Sequence, residues 1–156
     1  PSIRGGRYMK RADVLRLMAI LAVVVLASMT TGCLKASISL EVELNPEVYL
    51  VGDDLAGTMT VVATGVAKGG IYHTLTVDFL DTGNPVNTKA TVKVTGLEII
   101  ITPWENKSEP FDLADFELAV PEDAVNAANA RFTLSGDGFG ITPISATVVI
   151  SVSQPD

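Results

Sequence analysis

The sequence is poor in the residues that usually carry chemistry. It contains one cysteine, one histidine and one tryptophan in 156 residues. A single Cys excludes an internal disulfide, so the fold has to be held by its apolar core. Zinc sites need several Cys or His ligands, and nucleophilic catalysis needs a base beside its nucleophile. We therefore predict no catalytic residue, no metal ligand and no cofactor, and a protein that is not an enzyme.

Basic residues become scarce after Cys33. Six basic and 17 acidic residues follow it, a net charge of −11, whereas the preceding segment has five basic residues and one acid. A surface this acidic repels nucleic-acid phosphates and anionic lipid head groups. We expect no nucleic-acid partner, and we do not expect the domain to lie flat on an anionic membrane.

The amino-terminal segment has the pattern of an export signal. From Met9 a basic region leads into the apolar run Leu17–Ala27, and small residues follow at 28–32. Eleven apolar residues are typical of a signal-peptide core, because a membrane span needs about 20. This interpretation makes residues 1–8 either sequence upstream of the natural start or the edge of a fragment. The uncharged stretch Leu17–Leu34 leaves a retained anchor helix as an alternative.

Thr31-Gly32-Cys33 resembles the end of a prokaryotic lipoprotein signal, although Thr30 stands where a Leu is usual. The resemblance implies that Cys33 is lipidated and becomes the mature amino terminus. A cleaved, unanchored protein is the third alternative. We expect an extracytoplasmic protein in the cell envelope, held at its membrane through lipidated Cys33 or through the uncleaved helix.

The predicted organisation has three parts. Residues 1–32 form the signal peptide or anchor, residues 33–37 form a short tether, and residues 38–156 form one domain. Extended chain covers about 3.3–3.6 Å per residue, so such a tether reaches only on the order of 10–15 Å. The domain is expected to sit close to its membrane.

The domain alternates apolar and polar residues with a period of two, which is typical of strands with one buried face. Turn signals such as Asn45-Pro46 and Gly136-Asp137-Gly138 separate these runs. The pattern predicts an all-β fold, a single antiparallel β-sandwich of seven to eight strands. Pro121–Ala130 is the exception, with one or two expected helical turns. The predicted strands lie at 38–44, 59–63, 71–79, 86–94, 97–101, 116–120, 132–134 and 144–152.

The segment Leu44–Val61 resembles the opening of arrestin-like sandwiches, including the bacterial sporulation-control group. Tyr49, Gly52, Asp53 and Gly57 occupy the places of that family's tyrosine-x-x-glycine-acid turn and of the glycine that opens its next strand. Lys68-Gly69-Gly70 and the segment Phe111–Glu122 are similar to later parts of the same family, and the turn also occurs in immunoglobulin-like domains. The resemblance implies a scaffold or binding module rather than an enzyme, and it assigns no partner-binding residue.

The sequence contains three kinds of candidate site. His73 is expected on the apolar face of its strand, partly buried and hydrogen-bonded. Carboxylates in turns are expected to bond the local backbone rather than calcium, because no EF-hand spacing is present. Trp104, in the polar loop 102–110, either caps one end of the core, which is the preferred interpretation, or contacts a partner.

These observations favour a membrane-anchored binding or assembly module with a protein or glycan partner. The first alternative is a structural envelope protein that self-associates by pairing an edge strand, for which Ile144–Val152 is the candidate. A carboxylate-based hydrolase ranks last, because no spacing singles out a pair of acids.

Overall fold

The computed structural model describes residues 37–81 and 84–156. The predicted signal or anchor, lipidation site Cys33 and the tether as far as residue 36 lie outside the described residues. Within the described ranges, no helix is long and apolar enough to cross a membrane.

Most of the described chain is strand and very little of it is helical, which confirms the all-β prediction. Helical structure in these ranges is limited to two 3₁₀ turns, Leu113–Phe116 and Glu122–Ala124. The strands are β1 (Ser37–Leu44), β2 (Val48–Leu50), β3 (Gly57–Thr64), β4 (Gly70–Asp81), β5 (Asn84–Ile101), β6 (Lys107–Asp112), β7 (Asn129–Asp137), β8 (Ile144–Val149) and β9 (Ser151–Ser153).

The strands form three sheets. One has the order β1-β3-β6 and another the order β5-β4-β7-β8, and every pairing in these two is antiparallel. The third joins β2 to β9 in parallel, with Val48 opposite Ser151. The purely antiparallel arrangement predicted from the sequence is therefore wrong at this pair.

One hydrophobic core receives side chains from both larger sheets. Leu40 and Leu44 of β1 and Met59 and Val61 of β3 are buried, as the alternation predicts. From the four-stranded sheet the core receives Leu75, Val77, Phe79, Ile99, Ile101, Phe132 and Leu134. Burying large side chains contributes about 1.5–3 kcal/mol each relative to exposure, which lets the fold dispense with disulfides.

A β-bulge reverses part of the predicted pattern in β4. Tyr72 pairs with Gly136 and Thr74 with Ser135, so His73 is an extra residue on its strand. A bulge shifts the alternation by one. Tyr72, expected on the polar face, is consequently buried. His73 is partly buried and hydrogen-bonded, as predicted, but it does not lie on the apolar face where the alternation placed it.

Two further predictions were wrong in detail. The expected strand 116–120 begins instead in a 3₁₀ turn, because the Asp112 carboxylate caps the turn by accepting from the Ala114 amide at 3.0 Å. The expected helical turns after Pro121 reduce to the single 3₁₀ turn Glu122–Ala124. Conversely, the expected loop 102–110 contains most of β6.

The residues that carry the arrestin-like resemblance build one tight corner. The Asp53 carboxylate accepts a hydrogen bond from the Leu50 amide at 2.8 Å, and Gly52 has a φ of 92°. Gly57 has a φ of 130°, and a Cβ there would lie 2.0 Å from the Glu43 carbonyl oxygen. The close approach of β1 to β3 at Gly57 therefore requires glycine.

Candidate contact surface

Three loops meet at one end of the domain, which we call the loop end. They are residues 65–69 between β3 and β4, residues 102–106 between β5 and β6, and residues 138–143 between β7 and β8. Each follows the end of one strand and precedes the start of the next, and the antiparallel registers bring these strand ends together.

Backbone contacts tie these loops to one another. The Trp104 amide donates to the Val66 carbonyl oxygen at 2.7 Å, and the Gly65 amide donates to the Asn106 side-chain oxygen at 3.1 Å. Gly140 packs so closely that a Cβ there would lie 1.7 Å from the Lys68 carbonyl oxygen. The 65–69 loop is therefore held between the other two.

Trp104 projects from this end into solvent. Its side chain is 68% exposed, and its backbone has a φ of 65°, a left-handed conformation that side chains disfavour. The preferred interpretation from the sequence, that Trp104 caps the core, is therefore wrong. Partner contact by Trp104 stays a prediction.

Phe139 is a second exposed aromatic residue at the loop end, and sequence reasoning missed it. It is 94% exposed, and the ammonium group of Lys68 lies 5.0 Å from its ring centroid. A cation at this distance from the ring is weakly attracted to its face. The signal in the sequence was Gly138-Phe139-Gly140, because an aromatic residue between two turn glycines has little chain around it to cover the ring.

An apolar groove of about 590 Å³ adjoins the same loops. Ile100, on its wall, is 54% exposed. The groove is lined by Gly69, Gly70, Ile71, Ile100, Ile101, Thr102 and Pro103. The loop end thus combines two exposed rings with an open aliphatic surface.

Tyr72 fixes the third loop from inside the domain. Its ring is buried, and its hydroxyl donates to the Thr142 carbonyl oxygen at 2.8 Å. Burial raises the pKa of the Tyr72 phenol above its ordinary value of 10.0, because the phenolate would lose its hydration. The neutral side chain therefore anchors this loop over the whole physiological pH range.

His73 lies between a hydroxyl and a carboxylate. Its Nε2 is 3.0 Å from Asp137 Oδ2, and its Nδ1 is 2.9 Å from Thr74 Oγ1. An ionised carboxylate only accepts, so Nε2 carries the hydrogen and, in the neutral ring, the Thr74 hydroxyl donates to Nδ1. This is the order of groups in a nucleophile-base-acid relay. Thr74 is only 7% exposed, however, so its hydroxyl is not open to a substrate.

The Asp residues weighed as calcium ligands interact with side chains on neighbouring strands. Asp78 accepts from Thr91 Oγ1 at 2.7 Å and from Arg131 Nη2 at 3.2 Å. Asp81 lies 3.8 Å from the Lys89 ammonium nitrogen. In the described part of the chain, no three His, Cys, Asp or Glu side chains are grouped so that they could hold a metal ion.

A groove of equal size, about 590 Å³, opens at the opposite end of the sheets. Glu43 and Asp112 line it, but the Asp112 carboxylate is occupied as the cap of the 3₁₀ turn. Its other lining residues are Asn45, Ala56, Gly57, Thr58, Pro110, Phe111 and Ala114. Phe111 is the aromatic residue of this lining and is only partly exposed, so the loop end, with its two exposed rings, is the better candidate surface.

No protein-family model matches the sequence, and no curated protein matches it. Among solved structures, the chain is similar to the sporulation control protein Spo0M from Bacillus subtilis, with 19% identity and a TM-score of 0.49. That match covers 76% of this chain and 50% of Spo0M, so the chain spans about half of that protein's length. A β-glucosidase from Listeria innocua matches with 16% identity and a TM-score of 0.34, over 77% of this chain and 17% of the enzyme.

Proposed function

We propose that the protein is a membrane-anchored extracytoplasmic lipoprotein whose domain acts as a binding or assembly module. In this proposal Cys33 carries the lipid, or the uncleaved helix holds the chain at the membrane. The two larger sheets form one β-sandwich of the arrestin-like or immunoglobulin-like type. Support for the sandwich comes from the common core that both sheets share and from the corner built by Tyr49, Gly52 and Gly57.

The observation that carries the binding role is the pair of exposed rings on two tied loops. Trp104 is 68% exposed and Phe139 is 94% exposed. Large aromatic side chains dominate the energy of many contact surfaces, and a folded domain gains nothing from leaving them in water. Trp104 also occupies a left-handed backbone position, which costs about 1–2 kcal/mol relative to Gly. Strain of this kind is most readily explained when the side chain has a role.

The polar groups support binding rather than catalysis. His73 is held between Thr74 and Asp137, and Asp78 is held between Thr91 and Arg131. These side chains stabilise the outer face of the four-stranded sheet. Neither His73 nor Asp78 lines either of the two grooves described above.

Two measurements test the proposal. The intact mass of the protein extracted from its membrane distinguishes a lipidated Cys33 from a retained helix, and a cleaved, unmodified chain would contradict the anchoring. For the binding role, a photo-crosslinking phenylalanine analogue replaces Phe139 in cells. Its matched control carries the analogue at Val48, which is 62% exposed on β2.

The expected result is a specific adduct at position 139 and none at position 48. The mass of the adduct tells whether the contacted molecule is protein, glycan or lipid. If neither position yields an adduct in intact envelopes, the loop end is not a contact surface and the binding role fails.

Self-association through an edge strand is the second candidate. β8 is an edge of the four-stranded sheet, and Val149 on it is 64% exposed. An unpaired edge is a template for strand addition. The candidate strand Ile144–Val152 is, however, divided, and its β9 part is already paired with β2. A protein that stays monomeric by light scattering at high concentration would exclude this candidate.

A further inference from the structure

The loop end is also the end at which the described chain begins. Ser37, the first residue of β1, pairs with Thr64, the last residue of β3, and the 65–69 loop follows directly. Trp104 is hydrogen-bonded to this loop, and Phe139 contacts it through Lys68. The exposed rings therefore lie around the point where the chain leads back towards Cys33.

We propose that the loop end docks on the surface of the lipid bilayer that anchors the protein, with Trp104 and Phe139 in the interfacial layer. The inference rests on the proposed anchoring at or before Cys33. Only residues 34–36 separate Cys33 from Ser37, and four residue steps cover at most about 13–14 Å. The strand start, and the loops around it, are consequently confined near the head groups.

The side chains at this end suit an interface between water and hydrocarbon. Trp and Phe rings settle at the level of the head groups, where the indole N–H keeps a polar partner. Lys68 beside Phe139 has the flexible stem that lets an ammonium group stay in water while its methylenes are buried. Ile100 and the adjoining groove add aliphatic surface on the same side.

The short tether favours lipid over a protein partner. A folded protein is wider than the reach of four residues, so it does not fit between the loop end and the membrane. Charge also predicts which lipid is preferred. The loop end carries Glu105 as well as Lys68, Asp137 lies next to it at the end of β7, and the whole domain is acidic. We therefore expect zwitterionic head groups to be preferred over anionic ones.

The experiment uses the full-length anchored protein in phosphatidylcholine vesicles. Trp104 is the only tryptophan of the chain, so its fluorescence reports this surface alone. We expect a blue-shifted emission, loss of quenching by aqueous iodide, and quenching by lipids brominated near the head group. A Phe139→Ser, Ile100→Ser double variant is expected to return the emission towards that of exposed tryptophan, whereas Val48→Ser on β2 leaves it unchanged.

Vesicle flotation, measured in parallel, separates the two proposals. A protein that floats with vesicles while Trp104 stays open to iodide overturns the docking and leaves the anchoring intact. If Trp104 is protected from iodide in native envelopes but not in lipid vesicles, the docking on lipid is also overturned. A protein or glycan then covers the surface. A protein that does not float at all overturns the anchoring, and the docking with it.

Discussion

The hydroxyl of Tyr49 is hydrogen-bonded to both backbone polar atoms of Ala56. It donates to the Ala56 carbonyl oxygen at 3.0 Å and accepts from the Ala56 amide at 3.1 Å. Tyr49 is 2% exposed, so these groups have little access to water. One side chain thus closes the corner between β2 and β3.

Tyr49→Phe removes the hydroxyl and leaves the Ala56 amide unpaired, whereas the Ala56 carbonyl oxygen keeps the hydrogen bond that it accepts from the Asn45 amide at 3.0 Å. An unsatisfied buried donor costs about 1–3 kcal/mol, so we expect the free energy of unfolding to fall by about that amount. Urea denaturation measures the change, and Thr147→Ala on the exposed face of β8 is the control. A loss as small as the control's would show that water replaces the hydroxyl.

Gly57→Ala should be among the most damaging single-methyl additions to the domain. The new Cβ would lie 2.0 Å from the Glu43 carbonyl oxygen, so β1 and β3 would have to separate. Together with the positive φ, this should cost at least about 3 kcal/mol. Gly52→Ala is the matched control, because it too has a positive φ but meets nothing within 4 Å, and about 1–2 kcal/mol is expected. Equal melting temperatures for the two variants would contradict the clash.

Alkaline pH should destabilise the protein through Tyr72. Burial raises its folded-state pKa above 10.0, so the folded protein binds its proton more tightly than the unfolded chain does. The stability this contributes is complete below pH 10.0 and is lost as the pH rises towards the folded-state pKa. Urea midpoints measured from pH 8 upwards should decline more steeply beyond about pH 10 in the wild type than in Tyr72→Phe. Parallel curves would show that Tyr72 does not cause the decline.

Truncating a buried and an exposed phenylalanine should have very different effects on stability. Phe132 is fully buried in β7, and Phe132→Ala should cost about 3–5 kcal/mol. Phe139 is 94% exposed, so Phe139→Ala should cost no more than about 1 kcal/mol, which includes its contact with Lys68. Thermal unfolding compares them. A large loss for Phe139→Ala would mean that its ring is needed for folding rather than for contact.

Much of the fold could be predicted from the sequence, because the alternation of apolar and polar residues is a property of each strand's own sequence. β1, β3 and β7 bury the residues that their own sequence marks, such as Leu40, Val61 and Phe132. The alternation fails in β4 at His73, where one extra residue exchanges the two faces. No local signal marks that bulge, because it depends on how β4 matches Ser135 and Gly136 on another strand.

The errors around residues 102–120 have a similar origin. Prolines 103 and 110 and the surrounding polar residues indicate a loop, yet β6 is an edge strand, where a missing amide hydrogen is tolerated. The sequence favours a Trp104 that caps the core, because a large aromatic side chain gains much from burial. Its exposure follows from the hydrogen bond to Val66, 38 positions earlier, which no local pattern shows.

The parallel pairing of β2 with β9 has a consequence for the order of folding. Val48 meets Ser151, so the partner of β2 is made 103 positions later in the chain. During synthesis, the backbone N–H and C=O groups of β2 that pair with β9 have no partner until almost all of the described sequence has been made. A nascent chain of this protein is therefore vulnerable to mispairing and to chaperone capture at this early strand, and stopping translation before Ser151 should leave the vulnerability permanent.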